Sequence, residues 1–243
     1  MTQKEYARLS GLIYLLTILL GIFSLVYVPS KIPTAWENAS LTAQNILEYE
    51  FLYRLGILGG ILLYILFSIL PLALYRTLAP VNRGCALLMV IFALTSIPFT
   101  LLNIVNKVDA LTLLSGAEYL LAFEKEQIYT QVLLLLKSYS NGIQIIHALW
   151  GLWLLPFGYL VYKSNLLPKI LGILLMAGCL SYLVRFCANL LFPEYQIPAF
   201  IRVPASLGEI GTCLWLLIMG IRTPPTITES NQKLSTSKIE GMS

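Results

Sequence analysis

The chain has 243 residues, of which 58% are apolar and 12% charged, with a mean hydropathy of +0.78. Soluble domains reach only about 45–50% apolar with glycine counted and carry about 25% charge, so this composition excludes an ordinary soluble domain. The net charge of +4 comes from basic residues set singly or in pairs beside apolar runs, a pattern that orients a membrane protein and makes no nucleic-acid surface.

The first apolar run follows Lys4 and Arg8 and spans about residues 9–28, too long for a signal-peptide core, so it reads as an uncleaved first crossing. Ser10, Tyr14, Thr17, Gly21 and Ser24 recur at spacings of three and four, which places one small or polar stripe toward other helices and the opposite face toward lipid. Pro29 and Pro33 close the run, and an amphipathic piece over about residues 40–50 is expected to lie at the interface. The second crossing covers about residues 51–78, with Gly56 and Gly60 as a close-packing pair and Arg54 at its mouth. A short connection through Pro80 and Gly84 makes the third crossing, about residues 85–106, its antiparallel neighbour.

Residues 107–137 are apolar in pieces too short to cross singly. They read as interfacial or re-entrant helices over about 110–136, with one continuous helix into the fourth crossing as the alternative. The fourth, fifth and sixth crossings fall at about residues 139–162, 169–192 and 204–221. The Ser- and Thr-rich stretch from Thr223 is expected to be a disordered cytoplasmic tail. Residues 1–222 thus read as a single all-α, polytopic transmembrane bundle of about six spans, bounded by the bilayer itself as its first partner.

An even number of crossings puts both ends on one side. That side holds Lys4, Arg8, Arg76, Arg83, Lys163, Lys169, Arg222, Lys233 and Lys238 against only Glu5, Glu229 and Glu240. The excess of Lys and Arg favours cytoplasmic termini in a cell (cytoplasmic) membrane.

Two ionisable residues fall where hydrocarbon is expected, Arg185 in the fifth crossing and Glu209 in the sixth. A charge near a helix centre costs roughly 2.5–3.5 kcal/mol on translocon-type scales. Counting 1.5 Å per residue from the outer helix ends places Arg185 and His147 roughly 12 Å deep and Glu209 about 8 Å deep. We therefore expect an Arg185–Glu209 ion pair with His147, Asn189, Asn103 and Gln144 around it, in the outer third of the bilayer. Arg54 sits near the same outer level. His147 reads as a hydrogen-bond donor or a proton carrier. It is the lone histidine, and H-E-x-x-H, C-x-x-C, P-loop and dinucleotide fingerprints are all missing, so no cofactor and no metal site is implied. Cys85, Cys179, Cys187 and Cys213 lie inside apolar runs and read as small packing residues. A Ser-His-acid set could be assembled from Ser181 or Ser206 with His147 and Glu209, but nothing in the spacing requires it.

The segments ARLSGLIYLL, AQNILEYEFLYRLGI, LYRTLAPVNR, IIHALWGLWLLPFGYLVYKSNLLPKILGILL and LGEIGTCLWLLIMGIR together resemble the bacterial domain-of-unknown-function (DUF) 4386 family of integral membrane proteins, over roughly residues 7–222. The resemblance implies a small helical membrane protein of a bacterial cytoplasmic membrane and brings no activity with it. It marks Arg54, Asn82, His147 and Glu209 as positions in matching stretches. Three functions follow as expectations: an outward-facing polar pocket for a small ligand or ion, serving transport or sensing; a membrane enzyme acting on lipid or isoprenoid substrates; or a structural or partner-binding subunit.

Overall fold

The computed structural model describes residues 2–194 and 197–222, and the expected tail from Thr223 lies outside them. The described residues form helices α1 (Gln3–Ile22), α2 (Val28–Lys31), α3 (Ala39–Glu48), α4 (Glu50–Leu78), α5 (Arg83–Leu114), α6 (Lys125–Ser164), α7 (Lys169–Leu191) and α8 (Val203–Ile218). A π-helical turn, Phe23–Tyr27, joins α1 to α2, and a 3-10 turn, Ala199–Arg202, leads into α8. Six helical stretches are long and apolar enough to cross a membrane, so the protein is an all-α polytopic bundle.

Polar side chains set the helix starts. Thr2 and Glu5 make a reciprocal capping box before α1, and Glu124 with Gln127 makes another before α6. Asn38 and Asn82 accept the backbone N–H groups of Leu41 and Cys85, each at 2.9 Å, at the starts of α3 and α5. Asn165, with φ at 54°, ends α6 in the left-handed conformation.

The first crossing is inverted relative to a soluble helix. On α1, Ser10, Gly11, Tyr14 and Thr17 are buried while Leu9, Leu12, Leu16 and Leu19 are exposed. Lipid is as apolar as leucine, so burial goes to the residues that pack closely or carry a hydrogen-bonding group. The small and polar stripe expected on the first crossing is the buried one.

In order of contact the bundle is a ring: α1 against α4, α4 against α5, α5 against α6, α6 against α7, α7 against α8, and α8 back against α1. Closure occurs at the end that carries both described termini. There Gly11 lies against the backbone of Leu216 and Leu217, the Cys213 thiol donates to the Gly11 carbonyl (Sγ to O 3.6 Å), and Arg8 Nη2 donates to the Ile218 carbonyl at 3.1 Å. Gly158 and Gly172 meet face to face between α6 and α7, each approaching the other's carbonyl so closely that a Cβ would collide with it. Gly56 packs on Val28 as a close-packing residue should.

Two expected segments differ. Residues 107–137 are not separate interfacial or re-entrant α-helices: 107–114 continue α5, a short 3-10 turn, Glu118–Ala122, lies in the connection, and 125–138 are the first turns of α6, the continuous-helix alternative. Nothing between Lys125 and Ser164 breaks a helix except Pro156, which α6 carries within it. At 40 residues α6 is about 60 Å long, twice the roughly 30 Å of hydrocarbon, so it projects beyond the bilayer at the end away from the termini. The piece expected at the interface over residues 40–50 is α3, and its apolar face is turned to protein: Thr42, Ala43 and Ile46 are buried and α3 packs on α6 and α4.

Candidate functional site

The two halves of the ring are filled differently. At the terminal end Trp153, Phe157 and Leu160 of α6 interlock with Leu70 and Leu74 of α4 and Met89 of α5, all essentially inaccessible. Toward the far end a cavity of about 600 Å³ opens between small or polar residues, among them Ser24, Ser140, Ser181, Ala205 and Ser206, and apolar ones such as Leu25, Leu136 and Ile143. A second apolar cluster, with Val28, Ile32, Ile46 and Leu136, borders it on the side of α3. The segment between α2 and α3 forms its cover. Thr42 Oγ1 bonds both the N–H and the carbonyl of Ala35 (2.9 and 3.1 Å), Asn45 Nδ2 donates to the Pro33 carbonyl (2.9 Å), and Lys137 Nζ lies 5.3 Å from the centre of the Trp36 ring.

Four of the expected site residues line this cavity: Gln144 and His147 from α6, and Arg185 and Asn189 from α7. The His147 ring packs between two aromatic rings, edge-on to Trp150 (centroids 5.4 Å apart) and tilted on Tyr182 (5.7 Å).

The expected Arg185–Glu209 ion pair is not formed. Among the described residues the single salt bridge joins Arg54 to Glu50, one helical turn apart at 2.6 Å. The reason is axial register. Ala205 of α8 lies against Gly178 of α7, and Gly208 lies against Leu175, which fixes the level of one helix on the other. Arg185 then stands seven residues, about 10 Å, toward the far end from that contact, and Glu209 stands four residues, about 6 Å, the other way. Counting depth from the two helix ends assumed that they finish level. Val203, the first residue of α8, lies instead about 16 Å below the last residue of α7, by the same rise.

Glu209 consequently does not line the cavity. It faces α1, where the hydroxyl of Tyr14 is its neighbour, and Tyr182 faces both Glu209 and Arg185. Asn103 is also elsewhere: its Nδ2 donates to the Tyr139 carbonyl at 2.9 Å, and its side chain packs on Gly142, so it ties α5 to α6. Arg54 is an exposed surface residue whose pairing with Glu50 contributes little, about 0.3–0.5 kcal/mol for an i,i+4 pair.

Two cations that the sequence left out of the site belong to it. Lys107 of α5 lines the cavity with its Nζ 4.3 Å from the centre of the Tyr139 ring and 5.9 Å from that of Tyr53. Arg202, at the end of the 3-10 turn, lines it on the other side, within electrostatic reach of Arg185 and His147. The sequence places Asn106 or Lys107 on the face of the third crossing that carries Thr100 and Asn103, at its outer end. Continuing the apolar pattern through ALTLL would have set Lys107 inside the helix.

Several wall groups lack partners. Ser24 Oγ, Tyr53 Oη and Trp150 Nε1 are buried, line the cavity and have no hydrogen-bond partner among the described residues. Leaving such a group unmade costs about 1–3 kcal/mol. Ser24 sits in the π-helical turn, a local distortion that frequently accompanies functional sites. No group of three or more metal-ligating side chains is assembled among the described residues.

An uncharacterised protein of Archaeoglobus fulgidus is 29% identical over 166 residues, 68% of this chain and 83% of that protein. No solved structure matches the chain. The family described as "Domain of unknown function (DUF4386)" matches residues 9–220, most of the chain and all six crossings, and the protein belongs to that family.

Proposed function

We propose that this protein is a membrane-embedded binding protein that takes a small ligand into the far-end cavity, as a carrier or a sensor. The observation that carries the reading is the cavity itself: about 600 Å³, within the range of roughly 300–1,000 Å³ usual for ligand sites, with Gln144, His147, Arg185 and Asn189 converging on it. The excess of Lys and Arg near the termini supports a cytoplasmic location for that end, so the cavity faces outward from a cytoplasmic membrane. The loop before α3, which covers the cavity, is tied to α3 by a few side-chain bonds, the kind of element that can open for a ligand. The enzyme reading has less support, because among the described residues no carboxylate lines the cavity beside His147.

Single cysteines placed at Gln144, Asn189 and Glu209, in a variant whose four native cysteines are replaced, test this reading with a membrane-impermeant maleimide added to intact cells. Labelling at residues 144 and 189 but not at 209 is the expected result. Silence at both cavity positions in intact cells and in inside-out vesicles sinks it, and labelling in the vesicles alone reverses the orientation.

A further inference from the structure

The charge of the cavity is one-sided. Lys107, Arg185 and Arg202 line it, and none of the described lining residues is acidic. None of the three is in a salt bridge among the described residues. Arg185, half-buried, and Arg202, exposed at the cavity rim, lie within electrostatic range of each other, and an anion bound between them would relieve their repulsion. In the ring α5 stands across from α8, so Lys107 is set apart from the two arginines, beyond an apolar wall that includes Leu25, Ile143 and Leu136.

Size and shape narrow the ligand further. Water occupies about 30 Å³ per molecule, so 600 Å³ corresponds to about 20 waters, and a bare oxyanion would leave most of that space empty. The contacts between α1 and α8, such as Gly11 with Leu216 and Cys213, Arg8 with Ile218 and Tyr14 with Glu209, all lie on the terminal side of α1. Farther out, the π-turn and the start of α8 line the cavity instead, and Val26 (62% exposed), Arg202 and Ser206 form an exposed rim there. That rim lies between the π-helical turn and the start of α8.

Building on the ligand-binding reading above, we infer that the cavity binds an anionic amphiphile, a phosphate or carboxylate group on an apolar body. The charged group lies between Arg185 and Arg202, where guanidinium forks suit oxyanion geometry, and Asn189 adds a neutral donor. The apolar body lies along Leu25, Ile143 and Leu136, and the unpartnered Ser24 hydroxyl and Trp150 N–H serve polar groups along it. Such a ligand can come from the outer leaflet as a lipid or from the outer aqueous phase as a small amphiphile.

The test uses the full chain purified in an uncharged maltoside detergent, with Trp fluorescence and the melting temperature as readouts. The probes are octyl phosphate, octanol, octyltrimethylammonium and inorganic phosphate. Octyl phosphate is expected to bind at least tenfold more tightly than each of the others, with the preference lost in Arg185→Gln/Arg202→Gln and kept in Arg185→Lys/Arg202→Lys. Should the glutamine variant fail to fold, the order of the four probes on the wild type still decides. Equal binding of the three octyl probes overturns the anionic half of the inference, and equal binding of inorganic phosphate overturns the amphiphilic half. No binding by any probe, with residues 144 and 189 still labelled from outside, overturns the inference and leaves the ligand-binding reading standing; silent cysteines remove both. Native mass spectrometry from nanodiscs separates the sources: retained lysophosphatidylglycerol over lysophosphatidylcholine supports a lipid, and octyl phosphate binding without that retention supports a soluble amphiphile.

Discussion

The terminal half of the ring and its far half are made from the same helices yet obey different packing rules. Around Trp153 the rings interlock, with Phe67 edge-on at 5.3 Å and Phe157 stacked at 5.2 Å, and glycines bring backbones into contact. One to three turns earlier on α6, Ile143, His147 and Trp150 share a cavity wall with Ser181, Ala205 and the unpartnered Ser24, and the helices enclose space instead. In a bilayer no hydrophobic force squeezes helices together, so close packing exists only where side-chain shapes permit it. A half without complementary shapes stays hollow at little cost to the other, and a hollow bordered by cations is one that can be occupied.

Mutations at matched positions should expose that contrast. Trp153→Ala removes a ring that is 1% exposed and should cost about 3–5 kcal/mol, read as a loss of melting temperature in detergent, whereas Trp150→Ala, beside the cavity, should cost less than half of that. Equal losses would mean that the far half is as tightly packed as the terminal half. Gly11→Leu pushes α8 away from α1 and should cost about 3 kcal/mol by overpacking, visible as reduced folded yield in membranes. Asn103→Leu leaves the Tyr139 carbonyl without its side-chain donor and should lower stability by about 1 kcal/mol without altering ligand binding. The smallest effect is a coupling: a double-mutant cycle on Arg185 and Glu209 should show less than about 0.5 kcal/mol of interaction, because the side chains are too far apart to pair. Rescue of the single variants by charge exchange would restore the ion pair and overturn the register described for α7 and α8.

How far the site could be read from sequence depended on the kind of question asked of each residue. Gln144 and His147 share a face of one helix, and so do Arg185 and Asn189. Periodicity alone puts each pair together, and the structure brings both pairs to the cavity. Arg202 carried no such signal, since it precedes Pro204 in what looked like a turn. Glu209 was assigned by depth, and depth failed.

What the amino-acid sequence by itself determined is the set of six crossings and, on the first of them, which stripe faces protein. Both follow from local hydropathy and a 100° turn per residue, properties contained in a single helix. Only the tertiary structure decided that 107–114 and 125–137 extend two long helices, that α8 starts about 16 Å below the end of α7, and that the far half encloses a cavity. Those depend on how one helix slides along another before its glycines and small residues seat, and an axial offset leaves no trace in the periodicity of either partner.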